Sequence, residues 1–213
     1  MVPDPNFVKL HEPGALGRAV ARLRAGGIVG VPTESVYGLA VRADDAAAVA
    51  QLCALKGREP HKPLPLVAQD VAAVRAACHV PAAAESLMAA LWPGPLTLAL
   101  GARGPWPEAV LGPGGTLGVR VSAHPVLEAL CAGVGGLITA TSANLAGAPP
   151  AQDLQSLPDT LRRQVLWLDA GPLPGGPPST VVVVPAQGLL RVVRLGAVPQ
   201  SRLQAAVGAH AFA

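Results

Sequence analysis

The sequence predicts an α/β fold: a twisted mixed open sheet with flanking helices. Three observations predict it. Short apolar runs of strand length recur along the chain. Segments of helix length with capping residues lie between them. The two kinds interleave without a strict βαβ rhythm, so the sheet should be mixed rather than purely parallel.

The elements follow in order. Gly14 to Gly26 reads as a helix, with Ala15, Leu16, Ala19, Val20 and Leu23 as its apolar stripe and Gly26-Gly27 as its end. Ile28 to Val31 is a buried strand that stops at Pro32. Asp44 looks like the N-cap of a helix through Val49, Leu52 and Leu55, closed at Gly57. Leu64 to Ala68 is the next strand, and helices follow from Asp70 to Cys78 and from Pro81 to Leu91. Trp92-Pro93-Gly94-Pro95 must turn rigidly. Leu96 to Leu100 and Leu117 to Val121 are strands. Pro125 to Cys131 is a helix, Leu137 to Ala140 a strand, and Thr141-Ser142-Ala143-Asn144 a loop. Val165 to Leu168, Thr180 to Val184 and Leu189 to Arg194 are late strands, and a last helix runs through Leu203 and Val207. The Pro/Gly-rich stretch Gly171 to Pro178 reads as a loop rather than a linker. One domain over residues 1–213 is the expectation.

Composition narrows the class. The chain has 213 residues, 51% hydrophobic and 14% charged, which excludes a disordered chain. Every apolar run is broken too early to span a bilayer, and Met1 to Lys9 has no signal pattern, so a cytoplasmic protein is expected. Cys53, Cys78 and Cys131 are far apart with no C-x-x-C pair, so they read as buried small hydrophobes. A net charge of +3 permits nucleic-acid contact without requiring it. Aromatic content of 3% argues against base-stacking platforms. The last acid is Asp169, which leaves Arg191, Arg194 and Arg202 as an unopposed basic end.

Five clusters could carry chemistry. The chain's only lysines are Lys9, Lys56 and Lys62, and two of them flank Arg58 in the run Lys56-Gly57-Arg58…His61-Lys62. A point-charge Lys beside a forked Arg suits a phosphate chain; a Lys at a helix C-terminus also simply complements the helix dipole. Thr33, Glu34 and Ser35 follow a strand, where α/β sheets bind ligands and where hydroxyls also cap turns. Ser142 and Asn144 can hold an anion or close a turn. Arg120 sits inside an apolar strand and should meet a carboxylate, either Glu34 or one from a substrate. His124, just beyond, reads as a satisfied loop histidine. Ser179-Thr180 and Arg194-Leu195-Gly196 mark strand boundaries. There is no G-x-x-x-x-G-K-[ST] loop, G-x-G-x-x-G fingerprint, H-E-x-x-H or G-x-S-x-G elbow.

Seven segments, taken in order, resemble the YrdC-type threonylcarbamoyl-AMP synthase family: PTESVYGL, KGREPHKPL, LWPGPLTL, GVRV-x-x-HP, TSANLAG, STVVV and VVRLGA. They lie within residues 32–197. The resemblance implies a YrdC-like fold with a concave basic cavity, in the short, single-domain form. It implies formation of threonylcarbamoyl-adenylate and pyrophosphate from L-threonine, bicarbonate and ATP, for the threonylcarbamoyladenosine modification of tRNA. Threonine is then expected at Ser35, Arg120, Ser142 and Ser179. ATP is expected near Lys56, Arg58, Lys62, Thr116, Asn144 and Arg194. Lys56 and Arg58 would serve the chemistry through charge, with no single residue as general base. Mg²⁺ would be held mainly by the ATP phosphates, and tRNA or a downstream threonylcarbamoyl transferase complex are the implied partners. Three positions depart from the family pattern: Ser35 replaces Thr, Val183 and Val184 follow STVV where Asp is usual, and Leu195 replaces Pro. The alternative is a YrdC-like module that binds double-stranded RNA or tRNA without synthase activity.

Overall fold

The structure, a computed structural model, describes residues 6–58 and 62–213. Its fold is α/β with twisted, mixed, open sheets and flanking helices, as the sequence predicts. Among the described residues the strands form two sheets, where one was expected. The five-stranded sheet has the spatial order Phe7–Lys9, Leu166–Asp169, Val29–Pro32, Tyr37–Ala40, Thr141–Ser142. Its first two pairings are parallel and its last two antiparallel. Val29–Pro32 and Tyr37–Ala40 are buried at every position. A strand covered on both faces reads as a continuous apolar run, which is how Ile28 to Val31 was recognised. Tyr37–Ala40 escaped because it follows a polar segment and shows no alternation.

The seven-stranded sheet has the order Arg191–Arg194, Thr180–Val183, Leu96–Gly101, Thr116–Val121, Leu66–Ala68, Ile138–Thr139, with Leu111–Gly112 added beside Thr116–Val121. Here alternation is clear. Leu117, Val119 and Val121 enter the core, while Thr116, Gly118 and Arg120 face the other way and are half-buried.

One segment belongs to both sheets. Ile138–Thr139 pairs with Leu66–Ala68, and two residues later Thr141–Ser142 pairs with Tyr37–Ala40. The buried Thr139 hydroxyl fastens the junction, accepting from Val41 N at 3.0 Å and donating to Leu39 O at 3.4 Å. The apolar run Leu137 to Ala140 gives no sign that the chain changes partner inside it. Helices Ala15–Arg24 and Pro125–Val134 cover this junction, packing on Val29 and Val31 of one sheet and on Val67 and Ile138 of the other. The second core gathers Leu39, Leu52, Leu66, Leu87, Leu98, Leu117 and Leu203 under the remaining helices.

Helix boundaries agree with the capping chemistry, with one correction. Asp45, not Asp44, caps helix Ala46–Lys56: its side chain accepts from Ala48 N, while Asp44 pairs with Arg42. Two adjacent aspartates offer the same local signal, and the neighbouring Arg42 decides between them. Gly57 closes the helix at φ +60°, a conformation open to glycine. No helix among the described residues is long and apolar enough to cross a membrane. Cys78 and Cys131 are buried and Cys53 half-buried, all three as free thiols; burial pushes Cys131 up to about 12.

Candidate active site

The face of the seven-stranded sheet opposite the core is lined by Thr97, Ala99, Gly118, Arg120, Val181 and Val183. The register places Val181 beside Thr97 and Val183 beside Ala99. Small side chains make an open floor, so a ligand can lie directly on the strands. Val183 therefore adds an apolar group to this floor.

Arg120 rises from the floor with its side chain 13% exposed. A buried guanidinium needs a partner, and Glu34 supplies it in a forked pair at 2.9 and 3.1 Å. Glu34 also accepts from Ser122 Oγ and from Ala123 N. Burial acts to raise this carboxyl, but Arg120 and Ser122 outweigh it and hold it at about 2. The pair ties the loop after Val29–Pro32 to the second sheet. His124 corrects the sequence reading: its Nδ1 is buried without a partner among the described residues. Burial lowers its pKa, Glu34 opposes that and Arg120 adds to it.

Thr33 organises the loop that carries Glu34 and Ser35. Its hydroxyl donates to Val36 O at 2.6 Å and accepts from the Ser35 and Val36 amides. The turn-closing alternative thus describes Thr33. Ser35 passes its carbonyl to Gly175 N at 2.9 Å, so the Gly171 to Pro178 loop lies beside it.

The cationic loop is built differently. Lys56 is only 4% exposed. Its ammonium donates to Ser142 O, Asn144 O and Asn144 Oδ1 at 2.5, 2.7 and 3.3 Å. All three protons are used, so Lys56 holds the Ser142–Asn144 turn instead of standing open to solvent. Arg58 donates through Nε to Lys62 O and through Nη2 to Pro63 O, and its Nη1 lies 3.5 Å from Thr141 Oγ1. Among the described residues no carboxylate pairs with either cation. Burial, then the charge of Arg58, brings Lys56 down to about 8. Burial lowers Arg58 as well. Lys62 is exposed on the same loop; His61 lies outside the described residues.

Ser142 and Asn144 do close a turn. Ser142 Oγ donates to Asn144 Oδ1 at 2.5 Å, and Asn144 Nδ2 donates to Leu145 O and Ala148 O. Thr116 bonds Pro113 O in the glycine-rich turn at the far end of its strand. Ser179 and Arg194 form a unit: Arg194 donates to Ser179 O at 3.1 and 2.8 Å and to its Oγ at 3.2 Å. The neighbouring Thr180 is buried and points the other way, where it donates to Val198 O and accepts from Gly196 N and Val198 N. Gly196 approaches so closely that a Cβ there would lie 2.0 Å from Pro178 O. These contacts give the Ser179-Thr180 and Arg194-Leu195-Gly196 segments a common purpose, which is to fix Arg194 over Ser179. One polar residue on this face escaped the sequence reading. Thr97, 3% exposed, lies 2.8 Å from Ser179 Oγ; its only signal was a hydroxyl inside the apolar run Leu96 to Leu100.

With this geometry in hand, comparisons with known proteins are specific. A threonylcarbamoyl-AMP synthase of Alkalilimnicola ehrlichii is 42% identical over 158 residues, which is 74% of this chain and 82% of that one. The structure of a double-alanine variant of P. abyssi Sua5 superposes with a TM-score of 0.86 at 28% identity, covering 95% of this chain and 60% of that one. P. abyssi Sua5 complexed with L-threonine gives a TM-score of 0.82 at 29% identity, covering 91% of this chain and 57% of that one. This chain thus spans about three fifths of the Sua5 chain. The family model described as "Telomere recombination", Sua5/YciO/YrdC, matches residues 21–196, and the chain belongs to that family.

Proposed function

We propose that the chain is an L-threonylcarbamoyladenylate synthase, a nucleotidyltransferase acting in tRNA modification. Its amine substrate is L-threonine, condensed with bicarbonate and then with ATP. The observation that carries the reading is the presence of two cationic groups with different surroundings. One is an arginine with hydroxyls, Arg120 with Ser35, Ser142 and Ser179, suited to an amino acid. The other is buried Lys56 beside half-buried Arg58, neither of which meets a carboxylate among the described residues, a pair suited to phosphate. Relatives named for this synthase and a threonine-bound Sua5 support it over the RNA-binding module.

The chemistry follows from these groups. The threonine amine and bicarbonate condense with loss of water to an N-carboxy intermediate. A carboxylate oxygen of that intermediate attacks the α-phosphate, the bond to the β-phosphate breaks, and pyrophosphate leaves. Such a transfer needs alignment and positive charge more than a protein nucleophile. Arg58 and Lys62 supply charge to the phosphates, and Thr116 and Arg194 flank the nucleotide. Lys56 and Asn144 act on it chiefly through the turn they hold. Arg120, fixed by Glu34, keeps unused N–H groups for the threonine carboxylate, since a guanidinium carries five.

Mg²⁺ belongs to the reading as an ion held by the nucleotide. Among the described residues no three His, Cys, Asp or Glu side chains gather to hold a metal. Glu34 is committed to Arg120, Ser122 and Ala123. This donor set fits a phosphate-borne ion with water ligands, which would neutralise charge on the phosphates. The cytoplasm, tRNA and a downstream transferase complex complete the proposal. Purified protein should release pyrophosphate from ATP only with threonine and bicarbonate both present; turnover indifferent to threonine overturns the reading.

A further inference from the structure

We infer that Thr97 is a positioning residue that makes Ser179 a one-way hydrogen-bond donor toward the amino-acid substrate. The inference rests on the reading that Ser179 meets threonine, and it concerns one proton. Thr97 Oγ1 and Ser179 Oγ are 2.8 Å apart, and either could be the donor. Their surroundings decide. Thr97 is 3% exposed and, among the described residues, its side chain makes no other hydrogen bond. If Ser179 donated, the Thr97 proton would be buried without an acceptor, a costly arrangement. Ser179 is only half-buried, so its proton can be satisfied from the open face. Thr97 therefore donates and Ser179 accepts.

A second donor completes the assignment. Arg194 Nη2 donates to the same Ser179 oxygen at 3.2 Å. A hydroxyl has two lone pairs and one proton. With both lone pairs taken, by Thr97 and Arg194, the proton is left to point outward. Ser179 then recognises an acceptor, such as a carboxylate or carbonyl oxygen, and offers nothing to an ammonium group. The Thr97 side chain also has few rotamers to choose from. Its branched side chain is stiff about χ1, and its methyl lies 3.7 Å from where a Cβ on Gly118 would stand.

Thr97→Val removes the donor and keeps the shape. L-threonine affinity, measured by isothermal titration, should fall about 5- to 10-fold, the loss of one or two ordinary hydrogen bonds. ATP affinity without threonine should change by less than about 2-fold. Thr97→Ser should restore threonine binding, and Thr97→Cys, with a weaker donor, should fall between. In a Ser179→Ala background, Thr97→Val should cost nothing more. A merely structural Thr97 would instead lower both affinities together and lower them again in that background. Wild-type protein that binds threonine while Thr97→Val binds it equally well overturns this inference alone, as does Thr97→Ser failing to rescue. Wild-type protein that binds no threonine overturns the functional reading and this inference with it.

Discussion

Half-buried Arg120 and buried Lys56 are stabilised in opposite ways. Arg120 has its charge cancelled by Glu34 at 2.9 Å. Lys56 is held by two carbonyl oxygens and an amide oxygen, none of which carries a full charge. The first arrangement fixes a direction and leaves little net charge. The second, among the described residues, leaves positive charge in a desolvated place, with Arg58 adding to it. That difference underlies the proposed roles, in which Arg120 orients a small carboxylate and the Lys56–Arg58 loop meets something more strongly anionic.

The comparison breaks first if Lys56 proves dispensable. Lys56→Met leaves Asn144 O without its donor, at about 1–3 kcal/mol for a buried unsatisfied group, while Ser142 O keeps the Asn144 amide and Asn144 Oδ1 keeps the Ser142 hydroxyl. Turnover and ATP affinity should therefore fall by roughly 10- to 100-fold, with a lowered melting temperature. Lys56→Arg should not rescue, because a planar fork cannot replace a compact ammonium between three acceptors. Pyrophosphate release and thermal melts check this, and near-wild-type turnover would end the contrast.

Next come the two arginines, tested against each other. Arg58→Ala should weaken ATP by about 10- to 100-fold, the loss of one charged hydrogen bond. Arg120→Ala should do the same to threonine, with ATP little changed. Titration of each ligand separately decides it; equal losses for both ligands would dissolve the division. Arg120→Ala also carries an acid signature. Glu34 is depressed from 4.5 to about 2, so its pairing stabilises the fold above pH 4.5 and is lost as pH falls through about 2. Without Arg120 that stabilisation disappears, and acid unfolding should begin at higher pH.

A smaller effect separates the cations by pH. Lys56 stands at about 8 against an ordinary 10.5, so the folded state binds its proton more weakly than the unfolded chain. The cost of burying this charge is full below pH 8. It fades as pH rises toward 10.5, so this group's contribution to stability rises across that window. ATP affinity should move the opposite way, falling over the same interval as the charge is lost. A bound phosphate raises the pKa of Lys56, so ATP binding near pH 8 should take up protons. Titration in two buffers of different ionisation heat measures that uptake; no uptake means the phosphates lie too far from Lys56 to sense it.

Much of this was legible in the sequence, and the rest has physical reasons for being hidden. An arginine inside the apolar run Gly118 to Val121 announced its need for a partner, and Glu34 was one of the two candidates. Gly57 marked the helix end that delivers Lys56. The inward turn of Lys56 could not be read, because its acceptors, two of them main-chain oxygens, lie 86 and 88 residues away. The division into two sheets was hidden for a similar reason, since Ile138 to Ser142 changes partner without changing composition. Thr97 carries no signal in the sequence beyond a hydroxyl in an apolar run; among the described residues its side chain's hydrogen-bond partner is Ser179.

The smallest test concerns the helix that presents Lys56. Asp45 accepts from Ala48 N at 3.0 Å at the start of Ala46–Lys56. Asp44 instead forms a surface pair with Arg42, its side chain 56% exposed. Losing an N-cap costs about 1 kcal/mol, whereas an exposed ion pair contributes about 0–1 kcal/mol. Asp45→Ala should therefore lower the melting temperature by about 2–4 °C in a chain of this size, and Asp44→Ala by less. The helix ends in the cationic loop and not at Arg120, so the ligands should respond unequally. Asp45→Ala should loosen ATP slightly, by less than about 2-fold for a loss spread along the helix, and leave threonine unchanged. Loosened threonine binding would instead mean that the turn held by Lys56, with Ser142 in it, serves both substrates. The sharp contrast between the two cations would then become a shared wall.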